Sequence, residues 1–299
     1  MLKSSLTQKT FRHYDKFIKY KIWWKNFKYF LRELIRYRVA FIGGIIVLLF
    51  ILIAIFAPLI APHDPLKANI LKRLDPPFWM KGGDFTYFLG NDEVGRDILS
   101  RIIFGARASL LVGIITVAIS SAVGTILGAL AGYYRGYFDA ILSRVADLLL
   151  SFPYLIFAIF VMAIIGPGFF NLILALTFKS WVEFFRLSRG EVISEKTKEY
   201  VEAAQALGEG NKSVIFREIL PNIIYSTLVL STLRLGYLII LEASLSFLGL
   251  GIQPPTPVWG SMINSGRGYM MTAWWVSAIP GIALLILVLS INLLGEGLR

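Results

Sequence analysis

The chain has 299 residues, of which 56% are hydrophobic and 16% charged, and its mean hydropathy is +0.67. A soluble domain carries about a quarter charged residues, and here the apolar residues come in long uncharged blocks rather than alternating or helical stripes. That excludes an ordinary soluble core and predicts a polytopic membrane protein. With no cysteine, disulfides, thiolate metal sites and cysteine nucleophiles are excluded, and two histidines, His13 and His63, give zinc chemistry little to work with.

The net charge of +11 is concentrated in the first element, a basic arm over residues 1–38. Lys3, Lys9, Arg12, Lys16, Lys19, Lys21, Lys25, Lys28, Arg32, Arg36 and Arg38 stand there against Asp15 and Glu33. Basic residues just before a first span fix an N-terminus in the cytoplasm, where anionic lipid also attracts them. Phe11, Trp23, Trp24 and Phe27 are interleaved with the charges. The arm therefore reads as an interfacial amphipathic helix on membrane lipid, with no nucleic acid partner. Its length argues against a cleaved signal peptide.

A bilayer core of about 30 Å needs about 20 helical residues. Ala40–Ala57 is uncharged and ends at Pro58, and Ala108–Tyr134 is uncharged between Arg107 and Arg135. The next uncharged run, Leu148–Phe178, is too long for one span and divides at Gly166-Pro167-Gly168. Six spans are expected, at about 40–60, 108–134, 145–165, 169–187, 223–250 and 273–294. They leave an external segment over 62–107 and a cytoplasmic loop over 188–222, with both termini cytoplasmic. The external segment carries seven basic residues, but the denser arm beside the first span sets the orientation.

The loop is unusual. In Glu199–Asn222, "EYVEAAQALGEGNKSVIFREILPN", Glu199, Glu202, Ala203, Ala204 and Ala206 are strong helix formers. Val201, Ala204, Ala206 and Leu207 make one apolar strip. Gly208 fits the left-handed position that ends a helix, and Asn211 fits an N-cap for a second short helix, Lys212–Ile219. Pro221 suits the first turn of the fifth span. The result is a helix–turn–helix across the inner face, with small alanines exposed for close approach by a partner. Gly208 to Ser213 does not form a phosphate-binding loop, because Asn211 rather than glycine precedes Lys212 and no strand leads in.

Glu202-Ala203-Ala204, Gly208 and Leu220-Pro221 match the EAA motif, E-A-A-x3-G-x9-I-x-L-P, except that Glu218 stands where the pattern has isoleucine. The chain thereby resembles the permeases of binding-protein-dependent ABC importers. "LGNDEVGRDILSRIIFGARASLLVG" (Leu89–Gly113), "LEASLSFLGLGIQPPTPVWGSMI" (Leu241–Ile263) and the closing "NLLGEGLR" resemble the dipeptide/oligopeptide/nickel branch, and its second permease in particular.

The resemblance implies an all-α membrane domain of six spans, the type I importer permease fold, in the cell (inner) membrane of a bacterium or archaeon. It implies a second, homologous but distinct permease, two ATP-binding subunits and an extracytoplasmic solute-binding protein. ATP and magnesium would be held by the ATPases, so the chain itself is expected to bind no cofactor and to be no enzyme. Glu202, Ala203, Ala204, Gly208, Leu220 and Pro221 would couple the permease to the ATPase. The absence of His or Met clusters from the spans tilts the substrate toward di- or oligopeptides over nickel or another small solute. An ion-driven secondary transporter would show inverted repeats and half-helices broken at mid-membrane, and neither is read in the sequence.

Ionisable residues in spans are functional candidates. Arg234 and Glu242, separated by about 12 Å along the fifth span, are the candidate pathway residues. Arg144 with Asp147, and Lys179 with Glu183, are spaced for helical ion pairs. Asp92, Glu93 and Asp97 lack calcium-loop spacing and read as a structural turn.

Overall fold

The computed structural model describes residues 37–299, so the amphipathic arm expected before them lies outside the described residues. All regular structure among the described residues is helical, apart from one bridge between Asn91 and Asp97. In chain order the helices are α1, Arg38–Ile55, extended by a turn at Ala57–Ile60; α2, Ile98–Tyr134; α3, Gly136–Ser151; α4, Tyr154–Ile165; and α5, Phe169–Glu195. Then come α6, Glu199–Ala206; α7, Asn211–Phe247; α8, Trp259–Gly266; and α9, Trp275–Leu298. Four of these, α1, α2, α7 and α9, are long and apolar enough to cross a membrane, and the bent pair α3–α4 makes a fifth crossing if taken as one span. At 27 residues α5 is about 40 Å long. Its charges hide it from a hydropathy criterion.

Several boundaries differ from those expected. Helix α2 begins at Ile98 rather than 108, so the segment beyond α1 ends at Asp97. That residue caps the helix by accepting from the Ser100 amide (2.9 Å). Arg101 does not stop the helix because it turns inward: it lies 3.4 Å from Asp92 and donates to the Pro65 carbonyl at 3.3 Å. Asp92 also binds Arg96 at 2.6 Å, so this acidic turn is tied to arginines and to a helix cap.

The third span is broken rather than continuous over 145–165. Helices α3 and α4 meet at 94°, with Phe152 extended before Pro153, since proline disfavours a helical predecessor and has no amide to donate. Helix α5 runs eight residues beyond 187, because its charges find partners on α3. Arg189 holds Asp139 through two bonds of 2.5 and 2.7 Å, and Arg186 holds Asp147 at 2.5 Å. Asp147 is thus paired across helices and not with Arg144.

The short helix expected at Lys212–Ile219 and the fifth span are one helix, α7, joined by a π-turn over Val214–Ile219. The Leu220 amide reaches back five residues to the Ile215 carbonyl. A π-turn widens the helix just ahead of the Pro221 ring, and Pro221 stands, as expected, in the first turn of the α-helical part that follows, Leu220–Phe247. Gly210, not Asn211, is the N-cap.

Helix α2 is the central pillar. Against α5 it presents Gly124, Gly128 and Gly132, and a Cβ at these positions would lie 2.3, 2.5 and 2.7 Å from the carbonyl oxygens of Trp181, Phe185 and Arg189. Small residues four apart let two helix backbones touch, which is how helices adhere where lipid offers no hydrophobic drive. At its first end, Gly105 receives the ring of buried Trp259 from α8, whose indole donates to the Ile102 carbonyl at 3.0 Å. Its last turn meets the 196–210 loop. The 62–97 segment and that loop therefore lie at opposite ends of a helix about 55 Å long.

Candidate functional site

The loop after α5 is built on a small hydrophobic base. Val201, Val214, Ile215, Ile219 and Ile223 are buried with Tyr133 and Val192 from the ends of α2 and α5. Tyr133 is the keystone: its hydroxyl donates to Asn211 (2.9 Å) and accepts from Gln205 (3.1 Å), while Lys196 binds its carbonyl at 2.9 Å and covers its ring. On the other side Lys198 and Tyr200 both donate to Glu195 at 2.6 Å, and Asn222 of α7 donates to the Tyr200 hydroxyl at 3.0 Å. Burial, together with the bond to Glu195, raises the Tyr200 phenol above its ordinary pKa.

Helix α6 ends in a Schellman motif. Gly208 has φ +84°, its amide donates to the Gln205 carbonyl (3.0 Å), and the Glu209 amide donates to Ala204 (3.1 Å). Only glycine takes this φ without a Cβ penalty. Above the base, Glu202, Ala203, Gln205, Ala206 and Leu207 stand exposed, Leu207 at 87%. The apolar strip is thus divided: Val201 faces inward and Ala204 is half-buried, while Ala206 and Leu207 face out. Leu220 is half-buried and Pro221 exposed at the start of the long part of α7. A Gly208→Val variant is expected to lose about 1 kcal/mol from the strained cap, seen as faster proteolysis at Leu207–Lys212 with the rest of the chain intact.

Within the bundle the two candidate pathway residues part company. Glu242 is 0% exposed, and its carboxylate accepts from Ser109 of α2 and Ser246 of α7, both at 2.8 Å. It is an anchor between α2 and α7, enclosed in its own subunit. Arg234 is partly exposed, bonds to Glu183 of α5 and stacks 5.5 Å from the Tyr237 ring centre. Glu183 therefore bridges to Arg234 rather than to Lys179, whose ammonium donates to the Phe152 carbonyl.

Residues 124–299 match the family of binding-protein-dependent transport system inner membrane components. The chain belongs to this family. Residues 25–77 further match the N-terminal transmembrane domain of oligopeptide transport permease C. Among curated relatives, the chain is 45% identical over 260 residues, 87% of either chain, to the dipeptide transport system permease protein DppC of Escherichia coli. It is 42% identical over 259 residues, 86% of either chain, to the di/tripeptide transport system permease protein DppC of Pseudomonas aeruginosa. It is also 42% identical over 270 residues, 90% of this chain and 88% of the relative, to the glutathione transport system permease protein GsiD of Pectobacterium atrosepticum.

This permease is accordingly a multi-pass membrane protein of an ABC importer. Such importers comprise a partner permease, ATPase and binding protein. Sequence reasoning located the EAA residues but not Tyr133, whose place at the end of an apolar span gives no sign that it organises a loop 70 residues on. The Glu242 carboxylate has a clear signal in retrospect, since Ser246 stands one helical turn away. Glu242→Ala is expected to destabilise the permease by about 1–3 kcal/mol, by leaving two buried hydroxyls without an acceptor. Glu242→Gln, which keeps an acceptor, is expected to cost less; thermal unfolding in detergent checks both.

Proposed function

We propose that this chain forms half of the translocation pathway for di- or oligopeptides, pairing with a second, homologous but distinct permease. A binding protein delivers the peptide from outside, and of the two ATP-binding subunits, which carry ATP and magnesium, one docks on the 196–210 loop of this chain. The loop carries this reading. It exposes small and apolar side chains, Ala203, Ala206 and Leu207, on a base bonded to the ends of α2, α5 and α7. A push on the turn reaches three long helices at once. Glu202, Ala203, Ala204 and Gly208 form or cap the pushed helix, and Leu220-Pro221 follow the π-turn inside α7, where the loop's base passes into the long helix. Closure of the ATPase dimer moves the turn, and the bundle alternates between outward and inward access.

Both chain ends share the loop's side of the membrane in this reading. The Tyr225 hydroxyl near the loop end of α7 donates to the Leu298 carbonyl at 2.7 Å, which brings the C-terminus to that end. The peptide names of the relatives support the substrate class.

The test is purification of the tagged permease from mild detergent, followed by uptake of labelled alanyl-alanine in proteoliposomes with the co-purified subunits and the binding protein. Co-purification of a second permease and ATP-binding subunits, with ATP-dependent peptide uptake, is expected. A chain that purifies alone and moves solute without ATP overturns the importer reading. Uptake of nickel in place of peptide reassigns the substrate alone.

A further inference from the structure

Near the middle of the bundle the chain assembles a positive cluster. Lys179 of α5 is 5% exposed, and no carboxylate among the described residues pairs with it. Its ammonium donates to the carbonyl that Phe152 leaves free at the α3–α4 break, and it lies 5.4 Å from the Tyr154 ring centre. Tyr154 meets Tyr237 edge-on at 5.7 Å, and Arg234, bonded to Glu183, covers Tyr237 from the other side. The Arg234 side chain is 32% exposed and Tyr237 is 37% exposed. Two cations and one anion thus share the site, leaving one positive charge in excess.

The depth follows from helical rise. Lys179 lies ten residues, about 15 Å, inside the start of α5. Arg234 lies thirteen residues, about 20 Å, from the end of α7 at the same side. The break at Phe152 lies about 18 Å, the length of α4, from the Ile165 end. All three converge near the midplane of a core about 30 Å thick. Irregular backbone at that depth survives only where protein buries it or a cavity receives it. With Glu183 already bonded to Arg234, an ammonium there without a carboxylate in contact calls for a further counter-ion.

From this juxtaposition we infer that Lys179, Arg234, Tyr154 and Tyr237 form a mid-membrane receptor for the terminal carboxylate of a passing peptide. The inference rests on the peptide-importer reading above. Arg234 and Tyr237 form the open lip that meets the carboxylate. Lys179 supplies the excess charge behind them, and Glu183 holds Arg234 in place and limits how tightly the anion is kept. A peptide crossing as a zwitterion carries the counter-ion that the described residues do not supply, and it leaves when the Glu183–Arg234 bond re-forms in full.

The test uses the complete complex in proteoliposomes, with alanyl-alanine delivered by saturating binding protein so that selection outside is the same for each variant. Lys179→Gln, which can still donate to the Phe152 carbonyl, is expected to lower uptake about tenfold or more, as loss of a charge-assisted hydrogen bond does. Lys179→Arg is expected to restore most of it. Glu183→Gln, which adds to the positive excess, is expected to lower the concentration of peptide-loaded binding protein that gives half-maximal uptake, read in a titration of that loaded protein. Assembly of each variant is checked by co-purification of the ATP-binding subunits.

An assembled Lys179→Gln complex with wild-type uptake overturns the proposal. A Glu183→Gln complex that loses uptake by the same factor as Lys179→Gln also overturns it, since the charges then act only as a clamp between α5 and α7. If Lys179→Gln fails to assemble, the direction of the Glu183→Gln effect decides. A wild-type complex that takes up no dipeptide overturns the peptide reading itself, a result distinct from wild-type uptake that is indifferent to the cluster.

Discussion

Ala203→Arg is expected to abolish uptake while leaving the permease in the membrane at its normal level. Ala203 is exposed on α6 among the described residues, between one and two turns before Gly208. Arginine there meets no steric obstacle in the isolated chain, so folding is spared. Against a fitted partner surface the same side chain holds the two backbones apart and brings an unpaired charge into the interface. Losing one well-packed central contact typically costs about 2 kcal/mol or more, about thirtyfold in affinity. The ATP-binding subunits should therefore be lost on purification. Leu207→Ala removes the most exposed apolar knob of the turn and should weaken association in the same direction, by less. Retained uptake by the Ala203→Arg complex would remove the turn from the coupling route.

The second large effect is expected inside the bundle. Gly128→Leu should prevent accumulation of the folded permease, because its Cβ would lie 2.5 Å from the Phe185 carbonyl and 3.0 Å from the Arg189 amide. These are backbone atoms of α5, and they yield only if the helix moves. Overpacking of this kind costs about 1–3 kcal/mol where side chains can adjust, and here they cannot, so the upper end applies. Gly190 is the contrast. It also lies in α5, yet a Cβ there meets nothing within 4 Å. Gly190→Ala should be neutral, or stabilising by up to about 1 kcal/mol through helix propensity. Membrane levels and thermal unfolding of the two variants separate packing at a helix interface from a general intolerance of glycine replacement.

What the sequence discloses and what it conceals follow from range. Local signals survive: the uncharged blocks, the Gly-Pro-Gly break before α5, the Asp97 cap region as a turn, and Gly208 as a helix terminator all rest on neighbours a few residues apart. The ion pairs do not. Asp139 meets Arg189, fifty residues on, and Arg234 meets Glu183, fifty-one residues back. Helical spacing instead favours Arg144 with Asp147 and Lys179 with Glu183, which is a local rule overridden by helix packing. The same packing keeps α5 helical through charges that seemed to end the span. Pro153 and Pro221 show that a proline's meaning depends on its surroundings: one breaks a span at 94°, while the other follows a π-turn inside a helix. Gly124, Gly128 and Gly132 stand at four-residue spacing, a pattern passed over in the sequence because only the facing carbonyls of α5 give it a purpose.

In the proposed complex the turn around Ala203 seats against an ATP-binding subunit. The chain has no cysteine, so a single introduced thiol reports from one place only. Ala203→Cys and, at the opposite end of the molecule, Thr86→Cys can each be labelled with a maleimide–benzophenone in membranes containing the whole complex, then irradiated and immunoblotted. A cross-link to the ATP-binding subunit is expected from position 203 and none from position 86. A cross-link from position 86, or no cross-link from position 203 in a complex that still transports, would contradict it.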